Sequence, residues 1–470
     1  MAEALILKNA DLLTMEDGAQ VRRGDLWIAD GKIKKIVWRD QETKALKTSE
    51  KAVLKQNKAL ETSEKAVLKQ NKVLETPESA GCEALENDQG KLDAAYVKIL
   101  DCTGCTIMPG MIDSHVHYDE SYMGDFFLAS GITSVRNMRG FAGHAKWRDE
   151  ILAGTRRGPY IYSSGPLFDG EDPTIPNNQN VIISTTEDVE TGIRYTKQYQ
   201  FPWVKTYPSI EPELYRYLMR RCQEEGLPVC GHMTKKMDPT ELADLGYVCC
   251  EHTSSLPSDP EKTRYLAESG MWFCPTHVVC ETLPDYVWNG KQLKDLPHYE
   301  ELPEYVRTAW EESNRVIIEN YRKLNVHPDF QTIIDRATTF LTYSNKVMAG
   351  TDCAYPGIVP GFALADELEK LVDVYGMTRY DALCAATRNP AEHMGILEQK
   401  GRIAEHLDAD LIVLEANPLE DVGNVRKIRY VLQGTNIWDQ EERQQMLTAI
   451  GRLKKEDVEF ITDMNGNRLE

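Results

Sequence analysis

Eight short apolar runs, each followed by a stretch of helical pattern, place the strongest constraint on this chain. They are MIDSHVH (111–117), ITSVRNM (132–138), YIYSSG (160–165), WVKTY (203–207), PVCGH (228–232), YVCCEH (247–252), MWFCPT (271–276) and KVMAGTD (346–352). Strands that alternate with helices pair in parallel, because a parallel neighbour is reached only through a crossover connection. Eight such units predict an α/β fold, a (β/α)8 TIM-type barrel over residues 111–400. A doubly wound open sheet is the alternative, but no G-x-G-x-x-G or P-loop signature supports it.

Polar residues close several of these runs. The first ends His115-Val116-His117, and residues two apart in a strand face the same side, so both imidazoles can serve one ion. The fourth run carries Lys205, the fifth ends at His232, the sixth at His252 and the eighth at Asp352. In a barrel these positions converge on the C-terminal mouth, where such folds build their active sites. One histidine at a strand end is more often structural than a ligand, but four at matching ends are not readily explained that way. Lys205 lies inside WVKTY, flanked by aromatic and apolar residues. A buried ammonium beside cations is costly, whereas a neutral amine can add carbon dioxide and become a carboxylate on a long stem. A lysine paired with a carboxylate is the competing reading. Tyr118, Arg136 and Tyr207 adjoin these positions and could bind an oxyanion or a substrate carboxylate, with packing as the rival role. His277, just after the seventh run, is a further candidate substrate contact.

The two ends of the chain differ from the middle. ALILKNADLLTM and GDLWIADGKIKKIV alternate apolar strands with glycine-marked turns, β pattern resumes at Tyr96, and it returns in ADLIVLEANPLE and IRYVLQGTNIW. Residues 1–110 and 401–435 are therefore expected to form one discontinuous β-sandwich domain with the barrel inserted between its halves. Residues 41–95 interrupt the first half. SEKAVLKQNK occurs there twice, from Ser49 and Ser63, and the polar residues at the d-like positions deny it a coiled-coil seam. It is read as a partly helical or disordered excursion, with a homo-oligomer contact as the alternative. Residues 436–470 read as a polar helical tail.

Composition narrows the partners. A net charge of −20 disfavours nucleic acid, and no apolar run is long enough for a membrane span. The cysteines number 11 and several sit in apolar runs, as small core residues do in a reducing cytoplasm. Cys102 and Cys105 form a C-x-x-C with no second pair, so a zinc knuckle is disfavoured.

PGMIDSHVH, VKTY, PVCGH, CCEH and AGTD, followed by ATRNPAEHMGI and ADLIVLEANPLEDV, resemble the amidohydrolase superfamily in the correct order. Within it the chain looks like the imidazolonepropionase-like and prolidase-like (Xaa-Pro dipeptidase-like) branch with a binuclear metal centre. The resemblance implies that His115, His117 and Asp352 hold one divalent ion and His232 and His252 another, with carboxylated Lys205 and a hydroxide bridging them. Zinc is the first expectation, and manganese, cobalt or nickel would also suit. The implied reaction is hydrolysis of a small-molecule amide, peptide-like or N-acyl amino-acid, with Asp352 as general acid and base. A mononuclear deaminase is the nearest rival. Such relatives carry a glutamate where this chain has Lys235, and they lack the bridging lysine. The same residues would also suit a cyclic-amide hydrolase, an esterase, a lactonase or a phosphotriesterase, and a non-catalytic scaffold on this fold competes with them all.

Overall fold

The computed structural model describes residues 3–16, 18–39, 85–86, 91–92, 96–173, 180–325, 327 and 329–469. Both copies of the 14-residue repeat lie outside the described residues. The fold is mixed α/β.

Strands β1 (Glu3–Leu13), β2 (Val21–Ala29) and β3 (Lys32–Trp38) form an antiparallel meander. The β2–β3 turn is Asp30-Gly31, with φ of 51° and 70°. Two left-handed residues in a two-residue loop match the twist of a hairpin, and a glycine at the second position removes the steric cost. Strands β4 (Leu85–Glu86) and β5 (Lys91–Leu92) pair only with each other. Strands β6 (Tyr96–Asp101) and β7 (Thr106–Pro109) both run parallel to β1, at different places along it. An irregularity between Leu7 and Ala10, with Asn9 at φ 63°, separates those two places.

Gly110 joins this sheet to the parallel strands. A Cβ there would lie 2.3 Å from Thr133 Oγ1, so a side chain has no room at the junction. The parallel strands are β8 (Met111–Val116), β9 (Ile132–Asn137), β10 (Tyr160–Ser163), β11 (Leu167–Asp169), β12 (Asn180–Ile182), β13 (Val204–Thr206), β14 (Val229–Gly231), β15 (Tyr247–Glu251) and β16 (Trp272–Cys274). They form two sheets, ordered β10-β9-β8 and β12-β11-β13-β14-β15-β16. A hydrogen bond of 3.0 Å from Gly165 N to Trp203 O links the two on one side. On the other side, single parallel bridges join Phe273 to Val347 and Val116 to Cys353.

The expected eighth strand at 346–352 is thus a segment held by isolated bridges, not a regular strand. It bonds to β8 on both sides of Gly350, Ser114 N to Ala349 O at 2.9 Å and Asp352 N to His115 O at 2.7 Å, but with irregular spacing and with Asp352 at φ 59°. The runs at 111–117, 132–138, 160–165, 203–207, 228–232, 247–252 and 271–276 do contain strands.

After β16 the chain makes helices His277–Trp288, Glu304–Leu324 and Phe330–Tyr343. Asn325, left-handed at φ 51°, ends the long helix, and Asp329 caps the next through Thr332 N. Thr378 caps the helix Arg379–Ala385 by accepting from Asp381 N at 3.1 Å. No described helix is long and apolar enough to cross a membrane.

The chain returns to the first sheet through β17 (Leu411–Leu414), β18 (Ile428–Gln433) and β19 (Asn436–Asp439). The order is β19-β18-β17-β7-β1-β2-β3, with β6 on β1. Both ends therefore build one structure, a connected eight-stranded sheet. β1 links its parts, since its two halves pair with β6 and β7. This sheet has its own core, including Leu7, Leu12, Leu26, Ile107, Leu411 and Val413. Cys102 and Cys105 are buried in it, and the ten cysteines among the described residues are all free.

The tail differs from its expected form. Residues 436–439 belong to the sheet, the helix is Gln440–Ile450, and the following stretch turns back to the loop after β8. There Phe460 bridges Glu120, and Ile461 N donates to Asp119 O at 2.9 Å.

Candidate metal centre

Strand β8 delivers His115 and His117 to one side, as their spacing required. Nε2 of His115 and Nε2 of His117 lie 3.4 and 3.1 Å from Asp352 Oδ1. The three residues offer ligand atoms within 4.8 Å of one another. From β13, Lys205 reaches the same point, its Nζ 3.3 Å from His115 Nε2. Gly231 makes room for it, because a Cβ there would meet Lys205 Cδ at 2.8 Å and Thr206 O at 2.4 Å.

His232 follows β14 and His252 follows β15. Their ring centroids are 4.3 Å apart, and His252 lies 4.6 Å from His115. His252 Nδ1 pairs with Thr276 Oγ1 at 2.7 Å and stands 3.9 Å from Asp352 Oδ2. The structure thus brings all six ligand candidates, His115, His117, Lys205, His232, His252 and Asp352, into one cluster. His252, Thr276 and Asp352 hold φ of 67°, 47° and 59° without being glycine. Backbone held in that region costs energy and collects at functional sites.

Burial sets the charge of the cluster. It pushes the His115 and His232 imidazoles well below their ordinary value, and His252 down to about 4. Lys205 is fully buried, and desolvation lowers its amine. Burial alone would raise the Asp352 carboxyl, but the facing imidazoles of His115, His252 and His117 bring it below its usual range. Burial thus disfavours the charged form of His115, His232 and His252, while the surrounding rings favour the charged form of Asp352. Nδ1 of His117 and Nδ1 of His232 are buried without a hydrogen-bond partner. Buried polar atoms are normally satisfied, so this donor set fits a cationic guest.

The four candidate substrate contacts fare differently. Tyr207 stays at the cluster, its ring 4.5 Å from that of His232 and 5.7 Å from Lys205 Nζ. Tyr118 turns away and packs on Phe127 and Trp147, with ring centroids 5.4 and 5.3 Å distant. Arg136 sits within β9 and points into the interior below the mouth. It pairs with Glu251 and donates to Ser114 O at 3.0 Å. His277 spends both ring nitrogens on Tyr375 Oη (2.7 Å) and Glu281 Oε1 (2.8 Å). In this structure Tyr118 thus packs in the interior, and Arg136 and His277 direct their polar atoms to other residues of the protein.

Sequence reasoning passed over Asp113, Glu251 and Thr276. Asp113 accepts from Thr351 Oγ1 at 2.7 Å and from Thr351 N and His115 N at 3.1 and 3.2 Å, tying β8 to the Asp352 segment. Glu251 Oε2 meets His115 Nδ1 at 2.8 Å. Both acids stand inside apolar runs, MIDSH and YVCCEH, and that placement was the available signal.

Parallel strands that bring imidazoles, a lysine and an aspartate together at their ends suggest a hydrolase, and the sequence comparison names the family. Residues 106–437, more than half of the chain, match the Amidohydrolase family. The chain belongs to that family, and it is a hydrolytic enzyme acting on amide C–N bonds. Ochratoxinase of Aspergillus niger is 23% identical over 394 residues, which cover 71% of this chain and 74% of that protein. Among solved structures, a bottromycin amidohydrolase superposes with a TM-score of 0.68 at 18% identity, over 95% of this chain and 90% of that one. A Xaa-Pro dipeptidase with bound methionine in its active site gives 0.61 at 17% identity, over 93% and 100%.

Proposed function

We propose that this chain is a metal-dependent amide hydrolase whose substrate is a small peptide-like or N-acyl amino-acid amide. One observation carries the reading: a single carboxylate, Asp352, lies 3.4 and 3.1 Å from the imidazoles of His115 and His117 and 3.9 Å from that of His252. Hydrogen bonding alone gives little reason to gather neutral imidazoles, a desolvated amine and a carboxylate in one buried spot. His115, His117 and Asp352 would hold one divalent ion, and His232 and His252 a second, with Lys205 between them. Such ions, zinc by the preference of imidazole-rich sites, would acidify a water and polarise the scissile carbonyl.

The protein's own groups supply the rest. Asp352 Oδ1 or Oδ2 can take the proton of the attacking water and return it to the leaving nitrogen. Lys205 Nζ, uncharged, can form an N–C bond with carbon dioxide and release a proton. The carboxylate so made would replace a repelled ammonium with an attractive ligand. Tyr207 walls the site beside His232 and helps exclude bulk water.

The links Gly165–Trp203, Phe273–Val347 and Val116–Cys353 support reading the parallel strands as a closed (β/α)8 barrel. The dipeptidase among the fold relatives supports an amide of an amino acid as substrate. The test is metal analysis followed by an amide-library screen on metal-replete enzyme. Two ions per chain and turnover of amino-acid amides are expected, whereas a metal-free protein inert to every amide after reconstitution would overturn the reading.

A further inference from the structure

We propose that Glu251 is a positioning residue that fixes the tautomer of His115, and that Arg136 holds Glu251 for that task. The inference rests on the metal-centre reading above.

His115, Glu251 and Arg136 are all fully buried. Nδ1 of His115 meets Glu251 Oε2 at 2.8 Å. An ionised carboxylate only accepts, so Nδ1 must carry the hydrogen. At the other end of the ring the nearer polar atom is the amine of Lys205, which can donate to an imidazole lone pair. The other nitrogen, Nε2, is then left with its lone pair, and it is the one that faces Lys205 Nζ at 3.3 Å and Asp352 Oδ1 at 3.4 Å. The opposite tautomer would aim an N–H at the cluster and spoil it for a cation. With the tautomer fixed, two acceptors, His115 Nε2 and Asp352 Oδ1, confront each other across a gap that a positive charge relieves.

The second oxygen, Oε1, pairs with the guanidinium of Arg136, a group that can only donate, so both carboxylate oxygens face donors and the acid is held in the His115 orientation. The guanidinium is itself anchored, donating to Ser114 O at 3.0 Å and lying 5.9 Å over the Trp203 ring. The relay runs from β9 through β15 to β8. An acid that orients a ligating imidazole through its far nitrogen is a recurrent device, and its loss typically weakens metal affinity by roughly 10–100-fold. A simple ion-pair staple between β9 and β15 would predict none of this.

The experiment uses the full chain, metal-free and labelled with 15N-histidine, with His115→Gln assigning the signal. The wild type should show His115 protonated at Nδ1. In Glu251→Gln the side-chain amide can also donate, so the population should move toward Nε2–H. Zinc affinity, read by competition with a chromogenic chelator, should drop roughly 10–100-fold. Removing one partner of a buried pair can unfold a protein. Arg136→Met/Glu251→Gln removes both charges and serves as the folded comparison, with the same loss of tautomer control expected. A wild-type spectrum showing Nε2–H on His115 overturns the proposal, and that spectrum decides alone should both variants fail to fold. A folded Glu251→Gln with unchanged tautomer and zinc affinity overturns it equally. Absence of zinc binding in the wild type would instead sink the metal-centre reading, and the tautomer spectrum would still report on Glu251.

Discussion

Lys205 Nζ lies 3.3 Å from Nε2 of His115, with no solvent exposure at either residue. An ammonium would be unwelcome there, both for its desolvation and for repelling any cation held by His115. The position makes sense for an amine that is neutral, or that has become a carboxylate.

Replacing this amine should therefore separate function from stability. Lys205→Met removes a buried polar group and keeps the volume, so the metal-free variant should melt at the wild-type temperature or a few degrees above it. Its zinc content should fall toward one ion or none and its turnover should vanish, with partial recovery in short-chain carboxylic acids. Elemental analysis and calorimetry on the same preparation check both halves. A fully active Lys205→Met would remove the lysine from the scheme.

Asp352→Asn preserves shape and takes away a proton acceptor. The amide can still contact His115 and His117, so the fold should persist. Loss of general acid–base function costs about 10²–10⁴ in rate, and a weakened metal site adds to it. Steady-state rates on zinc-saturated protein test this; kcat within tenfold of wild type would exclude Asp352 from proton transfer.

The contrast between residues that were foreseen and those that were not has a physical cause. His115, His117, Lys205, His232, His252 and Asp352 were legible because each interrupts or ends an apolar run, and a shared strand end fixes a shared location. Direction was not legible at Tyr118, Arg136 or His277. Tyr118 has left the strand and packs on Trp147, Arg136 lies one turn of the pleat too deep, and His277 begins a helix. Asp113 and Glu251 were overlooked because an acid within a strand gives no hint of its partner until the neighbouring strands are placed. The eighth strand reads as regular in sequence, yet isolated bridges join it to its neighbours, and nothing in the sequence shows that a side chain at Gly350 would crowd His115, more than two hundred residues away.

That glycine yields a sharp test. A Cβ at Gly350 would lie 2.6 Å from Cys274 Sγ, 2.7 Å from His115 Cβ and 2.8 Å from His115 N. Backbone cannot yield as a side chain does, so Gly350→Ala should cost roughly 1–3 kcal/mol and push His115 off its ligand position. Lower zinc affinity together with a lower midpoint in urea is the expected pair of results. A variant with wild-type values in both would mean that the segment carrying Asp352 is looser than its contacts suggest.

Glu367 offers a pH dependence away from the cluster. Its carboxyl accepts from His277 N at 3.0 Å and Val278 N at 2.9 Å, and burial pushes it up to about 7 from an ordinary 4.5. The folded protein then keeps a proton that the unfolded chain has lost between those values. Stability from this group is present at low pH and falls as pH rises from about 4.5 to 7. Glu367→Gln abolishes the titration. The difference in unfolding free energy between variant and wild type should shift in the variant's favour from pH 5 to pH 8, by an amount on the order of 1–3 kcal/mol. A difference that stays constant across that range would mean Glu367 titrates normally.

The C-terminal stretch should matter to the site despite its distance in sequence. Phe460 bridges Glu120, Ile461 N bonds Asp119 O at 2.9 Å, and Ser121 N bonds Glu459 O at 2.9 Å. Residues 119–121 begin two positions after His117, and Asp119 pairs with Arg139 beside them. The loop leaving β8 is thus held by two backbone hydrogen bonds to the tail, which together form the Glu120–Phe460 bridge, and by the Tyr305 hydroxyl, which donates to Glu120. Truncation after Val458 removes both backbone hydrogen bonds and leaves β8 itself paired. Local stability follows local bonding, so amide exchange at 118–123 should accelerate while strands β14 and β15 keep their protection. KM should rise more than kcat falls, because the ligand positions on β8 survive while the rim beside them loosens. Exchange mass spectrometry and steady-state kinetics on the truncated enzyme measure the two effects. If the truncated chain instead exchanged at wild-type rates throughout 118–123, Tyr305 and the Asp119–Arg139 pair would be sufficient to hold the loop, and the tail would be dispensable for catalysis.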